Sequence, residues 1–432
     1  MMTDNSNFIG VDIPSDDVLT NCMHCGLCLP VCPTYAITGR EKSSPRGRIR
    51  LIKAVAEGTL DITKGFVDEM NFCLDCQACE TACPAGVKYG SLVESARNQI
   101  RVQRKDSTFA LTMKWIFLRN VLSKKYLLNI VSKLLRIYQS SGLELLFKNS
   151  FVVKKLTPVL FKLQFLSPRI EKRFFENIYP EIVVPHNAPK YTVGFLSGCI
   201  MNVAFAQVHE DTVKVLLHHD CKVIIPKNQV CCGSLQAHNG DFDVARELAK
   251  KNIDAFLKYD LDAIVMDSAG CGALMKEYGH YLYDDAEYSE KAALLSVKVK
   301  DISEFLYEIG MKIPAKNFSH RVSYHDACHL IHAQKISKEP RELIKSIPGI
   351  DFVELNEASW CCGSAGIYNV THHEDSMKIL DRKMENVELT DAEFIVANNP
   401  GCITQMEYGM TKKNLTIEVV HLSTLLSRVY HL

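Results

Sequence analysis

Residues 22–33 read CMHCGLCLPVCP, and residues 73–84 read CLDCQACETACP. Both stretches have the same spacing, Cys-x-x-Cys-x-x-Cys-x-x-x-Cys-Pro. Three thiolates on one tight loop can bind three corners of a metal cube, while the turn and helix that follow carry the fourth cysteine away from that loop. The two copies therefore predict two metal–sulfur centres in this part of the chain.

The spacing is typical of a bacterial-type ferredoxin, in which the fourth cysteine of each motif binds the [4Fe–4S] cluster of the other motif. This crossed arrangement predicts two ligand sets, which are Cys22, Cys25, Cys28 and Cys83 for one cluster, and Cys73, Cys76, Cys79 and Cys32 for the other. Structural zinc also binds Cys-x-x-Cys pairs, but it needs only four ligands in two pairs. Zinc therefore does not explain the third cysteine of each loop or the Cys-Pro that follows it.

The length suits two or three domains, the composition is that of a soluble globular protein, and we expect a cytoplasmic location. The 432 residues are 47% hydrophobic and 23% charged, and Lys+Arg and Asp+Glu balance at 50 each, which gives no indication of a nucleic-acid partner. The 17 cysteines suit metal binding in a reducing compartment better than disulfides. The N-terminus lacks the basic and apolar regions of a signal peptide, and no apolar run has the length of a membrane span.

The expected fold class is α/β, with four consecutive regions. Apolar residues at Ile49, Ile52 and Val55 have helical spacing, so helices rather than a hairpin should join the two motifs. This favours a helical two-cluster ferredoxin domain. The expected regions are 1–105, the helical [4Fe–4S] ferredoxin domain; 106–189, a basic helical connector; 190–318, a first Cys-Cys-Gly domain; and 319–432, a second one.

The connector is unusually basic for a balanced chain. From Arg101 to Arg173 there are sixteen Lys and Arg residues against three acids, and apolar residues recur between them at helical intervals. Such a region can lie on an anionic membrane surface, dock an acidic partner, or pack as a linker that exposes its Lys face. The sequence leaves these three alternatives open.

The C-terminal half of the chain is a duplication. Aligned segments pair cysteines at nearly constant offsets of 129, 130, 130 and 131 residues, matching Cys199, Cys231, Cys232 and Cys271 with Cys328, Cys361, Cys362 and Cys402. Each cysteine or pair follows a short apolar run rich in β-branched residues, and helical segments lie between the runs. This is βαβ patterning, so each half should be an α/β unit with a parallel sheet and with cysteines at the carboxyl ends of its strands.

The recurring Cys-Cys-Gly pattern indicates a candidate site for a further iron–sulfur cluster in each half. Adjacent cysteines can bind neighbouring irons of one cluster if the following glycine relaxes the backbone. The alternative is a set of unconnected buried thiols, which explains the recurrence poorly. The nearby histidines are expected to be packing residues rather than ligands; they are His209, His238, His325, His329, His332 and His372.

Two ferredoxin motifs followed by two Cys-Cys-Gly domains resemble the iron–sulfur subunits of membrane-associated respiratory dehydrogenases. The strongest resemblance is to glycolate oxidase (glycolate dehydrogenase) iron–sulfur subunits, through segments such as SPRGRIRLIKAVAEG, SAGCGALMKEYG and CCGSAGIYNVTH. The resemblance implies that a separate flavin subunit oxidises the 2-hydroxy acid, and that this chain passes electrons to the quinone pool. It also implies peripheral contact with the inner face of the cytoplasmic membrane. No Gly-x-Gly-x-x-Gly nucleotide motif follows a strand in this sequence.

The Cys-Cys-Gly domain also resembles that of heterodisulfide reductase, where it holds a non-cubane cluster and ends in Cys-x-x-Cys. Here Leu274 and Gln405 take the second cysteine positions. This departure leaves open whether each half holds a smaller cluster or none. The alternative functions are an iron–sulfur subunit for lactate or glycerol 3-phosphate oxidation, a heterodisulfide-reductase-like enzyme, and a cluster-bearing sensor, although so many ligands suggest a conductor of electrons.

Overall fold

The computed structural model describes residues 6–103, 109–149, 155 and 167–432. The expected boundary at residues 105/106 and part of the expected connector lie outside these residues. Within them the chain is α/β: an all-helical N-terminal part is followed by two parallel-sheet units, as the sequence predicts.

The N-terminal part wraps helices around both cysteine motifs. The longest helix between the two motifs begins at Pro45, which takes the first helical position, and Ser44 before it accepts a hydrogen bond from Gly47 N. Ile52, Met70 and Leu92 form a buried core from three of the helices. The helices are α1 (Asp16–Thr20), α2 (Pro33–Thr38), α3 (Pro45–Ala56), α4 (Lys64–Phe72), α5 (Ala78–Thr81) and α6 (Tyr89–Gln103).

The described part of the connector is also helical. A π-helical segment, Phe117–Leu122, continues α7, and Gln236 of the first unit donates from Nε2 to the Leu118 carbonyl at 2.8 Å. The helices are α7 (Phe109–Ile116), α8 (Lys125–Ser140) and α9 (Leu143–Asn149).

The first sheet has the strand order β1-β3-β2-β4-β5. Strands β2 to β5 are parallel, but β1 comes from a proline-rich stretch at the end of the expected connector and pairs antiparallel with β3 at the edge. The strands are β1 (Ile182–Val183), β2 (Tyr191–Phe195), β3 (Cys221–Ile224), β4 (Ala263–Met266) and β5 (Val299–Asp301). The helices are α10 (Ile200–Ala204), α11 (Ala206–His218), α12 (Ser234–His238), α13 (Phe242–Phe256), α14 (Ala269–Lys276), α15 (Tyr278–Tyr281), α16 (Ser289–Lys298) and α17 (Ile302–Ile309).

The second sheet is parallel throughout, in the order β7-β6-β8-β9. Its strands are β6 (Arg321–His325), β7 (Asp351–Phe352), β8 (Phe394–Ala397) and β9 (Glu418–Val420). Its helices are α18 (Lys338–Lys345), α19 (Tyr368–Thr371), α20 (His373–Glu388), α21 (Pro400–Lys413) and α22 (Leu422–Tyr430).

One hydrophobic core joins the two sheets. Val193 and Val265 of the first sheet lie in the same buried cluster as Val322 and Val396 of the second. The two units are therefore packed as a single body, which fixes the position of one set of cysteines relative to the other.

Candidate iron–sulfur centres

The first three cysteines of the first motif lie beside the last cysteine of the second. Cys22, Cys25, Cys28 and Cys83 line one small cavity. The tight loop depends on positive φ angles at His24 and Gly26, and the Arg46 guanidinium donates from Nη1 to the His24 carbonyl at 3.1 Å. Cys25 is solvent-exposed. Cys79 lines the same cavity, so this placement is compatible with crossed ligation, which stays a prediction.

The complementary set surrounds the second motif. Burial raises the pKa of the Cys79 thiol, and its thiol neighbours Cys76, Cys73 and Cys32 add to the shift. The Tyr89 hydroxyl donates to Cys73 Sγ at 3.5 Å. Cys32 of the first motif is therefore a neighbour of the second motif's cysteines, and its role as their fourth ligand stays a prediction.

A buried arginine supports the second set. Arg48 is fully buried and donates to Thr34 Oγ1 at 3.1 Å, and Thr34 Oγ1 lies 3.3 Å from Cys32 Sγ. Its Nε donates to the Glu69 carbonyl at 2.8 Å. The turn from Pro45 to Arg48 thus directs one guanidinium inward, where it can balance the negative charge of a thiolate-bound centre.

The two Cys-Cys-Gly units arrange their cysteines alike. In both units the central strand, β2 or β6, lies between the two other strands that precede cysteines, so the three carboxyl ends meet at one edge. In the first unit Cys231 Sγ lies 3.4 Å from Cys199 Sγ, and Cys232 contacts Cys271. The second unit repeats this chain: Cys328 contacts Cys361, and Cys362 Sγ lies 3.4 Å from Cys402 Sγ.

The glycine after each cysteine pair has a positive φ, 92° at Gly233 and 88° at Gly363. Each glycine also lies against a helix. A Cβ at Gly363 would come within 2.6 Å of the Ser376 carbonyl oxygen, and one at Gly233 within 3.3 Å of Ala245 Cα. Backbone conformation and close packing against a helix therefore both favour glycine at the third position of the Cys-Cys-Gly motif.

The donor chemistry of each unit fits an iron–sulfur centre. Four soft sulfur donors converge in each, and of these eight thiols five are buried and three are half-buried. A group of thiolates in such surroundings needs a cation to offset its charge, and soft thiolate sets select iron–sulfur clusters, zinc or copper(I). All eight cysteines line one cavity of about 1110 Å³, which also reaches Cys73 of the second motif.

The second motif packs directly on the second unit. Leu74 lies in one buried cluster with Trp360, Cys361 and Tyr368, and Cys76 packs against it. Negative charge on Cys76 raises the pKa of the Cys361 thiol, and negative charge on Cys328 raises the pKa of the Cys76 thiol. The three thiols are therefore close neighbours. His329 Nε2 lies 2.9 Å from the Asp75 carbonyl oxygen.

The first unit meets the helical part through a buried acid–base cluster. His238 Nδ1 lies 2.5 Å from Glu94 Oε1, and the Tyr281 hydroxyl donates to Glu94 Oε2. Arg97 donates to the backbone oxygens of Cys73 and His238. Burial opposes charge on His238, but Glu94 and Asp75 raise its pKa to about 10. No local sequence pattern predicts this cluster, since its members are far apart in the chain.

Several of the histidines near the cysteines have polar or aromatic partners within the protein. His209 bridges Asp267 and the Ser197 carbonyl, at 2.7 and 2.9 Å. His332 lies 2.9 Å from Thr81 Oγ1, and His372 stacks on Tyr368. His325 differs, because neither of its ring nitrogens has a hydrogen-bond partner among the described residues.

The connector pairs some of its charges within the chain. Arg119 makes two 2.7 Å contacts with Asp241, and Lys125 contacts Glu176 at 2.6 Å. Four residues on one side of α8 are nevertheless 53–62% exposed, namely Tyr126, Ile130, Leu134 and Ile137. Among the described residues, no helix combines the length and apolar character needed to cross a bilayer.

Comparison with known proteins identifies both parts of the chain. Residues 18–87 match the 4Fe-4S dicluster domain family, so this part holds two [4Fe–4S] clusters. Residues 193–276 and 322–407 match the Cysteine-rich domain family, which confirms the duplication.

Full-length relatives carry a common name. The chain is 41% identical over 413 residues to the probable glycolate oxidase iron-sulfur subunit of Bacillus subtilis, covering 94% of this chain and 93% of that protein. It is 30% identical to the glycolate oxidase iron-sulfur subunit of Escherichia coli, covering 94% and 95%. Lactate utilization protein A of Oceanobacillus iheyensis is 31% identical over 54% of this chain and 96% of its own length. The chain therefore belongs to the family of glycolate oxidase iron–sulfur subunits, which are oxidoreductase components.

Proposed function

We propose that this chain is the electron-transfer subunit of a flavin-dependent 2-hydroxy-acid dehydrogenase, with glycolate as the substrate of the complex. It would receive electrons from a flavin subunit and pass them towards the quinone pool. The names of its full-length relatives support the substrate. The dicluster domain supports the electron-transfer role.

The ligand sets we propose follow the geometry of the cysteines. Cys22, Cys25, Cys28 and Cys83 would hold one [4Fe–4S] cluster, and Cys73, Cys76, Cys79 and Cys32 the other. The two Cys-Cys-Gly units would each hold a further centre through their four cysteines. Such clusters supply one-electron carriers; the residues of this chain bind and space them and exclude water.

The observation that carries the proposal is the contact between the second motif and the second Cys-Cys-Gly unit. Leu74 and Cys76 pack on Cys361, so the second cubane site and the second unit are neighbours. The first cubane site is at the surface, where Cys25 is flanked by exposed Met23 and Leu27. We infer a sequence of centres that starts at this exposed loop, continues through the second cubane to the second unit, and ends at the first unit.

The flavin belongs to a partner for a chemical reason. Oxidation of a 2-hydroxy acid removes two electrons and a proton from carbon, in effect a hydride, and an iron–sulfur cluster accepts single electrons only. A flavin takes the pair and releases it one electron at a time. The exposed Cys25 loop is the surface we assign to this partner.

The test is reconstitution. The purified chain alone should not oxidise glycolate or lactate with a dye acceptor, and the flavin subunit should restore turnover. Reduction of a quinone analogue should then require intact cysteines from Cys22 to Cys83. Oxidation of glycolate by this chain alone, with no bound flavin, would overturn the proposal.

A second donor is favoured by one finding, the similarity to lactate utilization protein A. That relative matches only 54% of this chain, whereas the glycolate oxidase relatives match 94%. Rates of the reconstituted complex with glycolate and with lactate distinguish the two substrates.

We also propose peripheral contact of α8 with an anionic membrane surface. Its exposed stripe carries Ile130 and Leu134, with the basic residues Lys133 and Arg136 beside it on the same helix. An amphipathic helix of this kind lies in the membrane–water interface, with its apolar face towards the acyl chains and its basic residues near the headgroups. Contact with the inner leaflet would place the chain near the quinone pool.

A further inference from the structure

His325 occupies a position in the second Cys-Cys-Gly unit that has no polar counterpart in the first. It ends strand β6, three residues before Cys328. The offset of 129 residues that pairs Cys199 with Cys328 pairs Leu196 with His325. Both side chains are buried, Leu196 at 3% exposure and His325 at 0%. The duplication therefore places an imidazole where its sister unit has a simple apolar side chain.

The imidazole lies among the cysteines of its own unit. One ring nitrogen of His325 and the sulfur atoms of Cys362 and Cys402 all lie within 4.8 Å of one another. A metal ion with bonds of about 2.0–2.3 Å holds two ligand atoms no more than about 4.5 Å apart. The three donor atoms are therefore placed for a shared centre with little movement.

The hydrogen bonding of His325 is unsatisfied within the described part of the chain. Neither Nδ1 nor Nε2 makes a hydrogen bond of good geometry there, and the backbone of Ala358 is close enough to act only as a weak acceptor. The neighbouring carbonyl of Ala358 already accepts from Asp326 N at 3.1 Å and from Lys383 Nζ at 3.1 Å. A fully buried polar group without a partner costs about 1–3 kcal/mol, so such groups in folded proteins generally have a reason.

Lys383 is a second polar group buried beside the cysteines of this unit. Its side chain is fully buried on α20 and donates only to the carbonyls of Glu357 and Ala358. Among the described residues it has no carboxylate partner. Burial lowers the pKa of Lys383 to about 8, and negative charge on Cys362, Cys361, Asp326 or Cys402 would oppose this shift. If Lys383 is charged, thiolates around a metal centre would offset its buried ammonium together with Asp326.

We propose that His325 is a ligand of the iron–sulfur centre held by Cys328, Cys361, Cys362 and Cys402. The inference rests on the proposed assignment of a centre to the second unit. It makes the two units chemically different: the first offers four thiolates, and the second offers four thiolates and a neutral imidazole. The imidazole also supplies a donor in a unit whose second terminal cysteine position holds Gln405.

The expected consequence is a difference in reduction potential. In iron–sulfur proteins, replacing anionic thiolate by neutral imidazole raises the potential of the cluster, since it removes negative charge that opposes reduction. Lys383 acts in the same direction. The centre of the second unit should therefore be easier to reduce than it would be with a cysteine at position 325.

The experiment uses the full chain, purified without oxygen and labelled with ¹⁵N-histidine. Pulsed EPR of the reduced protein should show a ¹⁵N hyperfine coupling of the size found for metal-bound imidazole, in the signal that Cys361→Ser removes. His325→Leu, which copies the residue of the first unit, should abolish that coupling. His372→Gln is the matched control, since His372 lines the same cavity and stacks on Tyr368, and it should keep the coupling.

A second variant protects the test against misfolding. His325→Cys keeps a ligand, so it should retain the iron content of the natural protein, lose the nitrogen coupling and lower the midpoint potential of this centre. A coupling that survives in His325→Leu, or a natural protein with only weak coupling to remote nitrogen, would overturn the inference. If Cys361→Ser has unchanged iron, sulfide and EPR signals, the assignment of a centre to the second unit fails instead.

Discussion

The two Cys-Cys-Gly units hold the same four thiols in the same order, but their surroundings differ. The first unit surrounds its cysteines with neutral hydrogen bonds: Asn252 donates to the Cys231 carbonyl and Tyr278 to the Cys232 carbonyl. The second unit places His325 and Lys383 beside its cysteines and packs Trp360 against the second ferredoxin-type motif.

The difference shows which part of the duplicated unit is constrained. Strand order, the cysteine positions and the left-handed glycine are retained in both copies, because they define the arrangement of the sulfur donors. The residues around the donors have diverged, and they set the charge and the neighbours of each centre. One scaffold can therefore provide two centres with different roles.

The largest expected effect comes from removing the centre of one unit at a time. With the flavin partner and substrate present, Cys361→Ser should stop nearly all acceptor reduction and leave the first unit's centre oxidised, because the second unit precedes it in the proposed sequence of centres. Cys231→Ser should also stop acceptor reduction but leave the second unit's centre reducible. Rapid-freeze EPR distinguishes the two variants. Reduction of the first unit in Cys361→Ser would contradict the proposed order.

The next effect concerns the two ferredoxin-type motifs. Cys83→Ser should remove the same EPR signal as Cys22→Ser, since Cys83 lines the cavity of Cys22, Cys25 and Cys28. Cys73→Ser should remove the other signal. Iron analysis of the reduced variants accompanies the spectra, and a Cys83→Ser spectrum that matches Cys73→Ser would refute the crossed ligation.

A smaller effect separates the two glycines. Gly233→Ala should cost about 1–2 kcal/mol, the strain of a left-handed backbone for alanine. Gly363→Ala should cost about 3 kcal/mol or more, because its Cβ would also meet the Ser376 carbonyl oxygen at 2.6 Å. The thermal unfolding midpoints, measured at equal iron content, check the order of the two variants. Equal midpoints would show that α20 moves away from the new methyl group.

Much of the site was predictable from the sequence because its signals are local. The spacing of the motifs predicted both clusters, and the apolar runs before each cysteine predicted parallel strands with thiols at their carboxyl ends. The short strands β5 and β9 and the antiparallel edge strand β1 were missed, since three or fewer residues give almost no periodicity. The domain boundaries stay predictions.

The contacts between distant segments could not be predicted. Nothing in the spacing of Leu74 and Trp360 indicates that the second motif packs on the second unit rather than the first. The pairing of Glu94 with His238 is equally invisible, as 144 residues separate them. His325 did have a signal: aligning the two copies sets it against Leu196, and an unmatched polar residue beside a cysteine is a reason to examine its surroundings.

The smallest expected effect concerns the connector, where an exposed apolar residue is compared with a charged residue that is paired within the chain. Leu134 on α8 faces solvent within the described part of the chain, whereas Arg119 is paired with Asp241. Leu134→Asp should weaken binding to phosphatidylglycerol vesicles about tenfold, since it removes roughly 1.5 kcal/mol of apolar burial and adds a repelled charge. Asp241→Asn should lower the unfolding midpoint and leave vesicle binding unchanged.

Salt and lipid charge complete this comparison. Binding should fall as salt increases, because exposed charges are screened over about 10 Å at 0.1 M, and phosphatidylcholine vesicles should bind weakly at every salt concentration. Flotation assays measure both dependences. If no vesicle binds while the complex with the flavin subunit dissociates in salt, the basic region contacts the partner instead. In that case Leu134→Asp should weaken the complex, and the exposed stripe of α8 becomes part of the subunit interface.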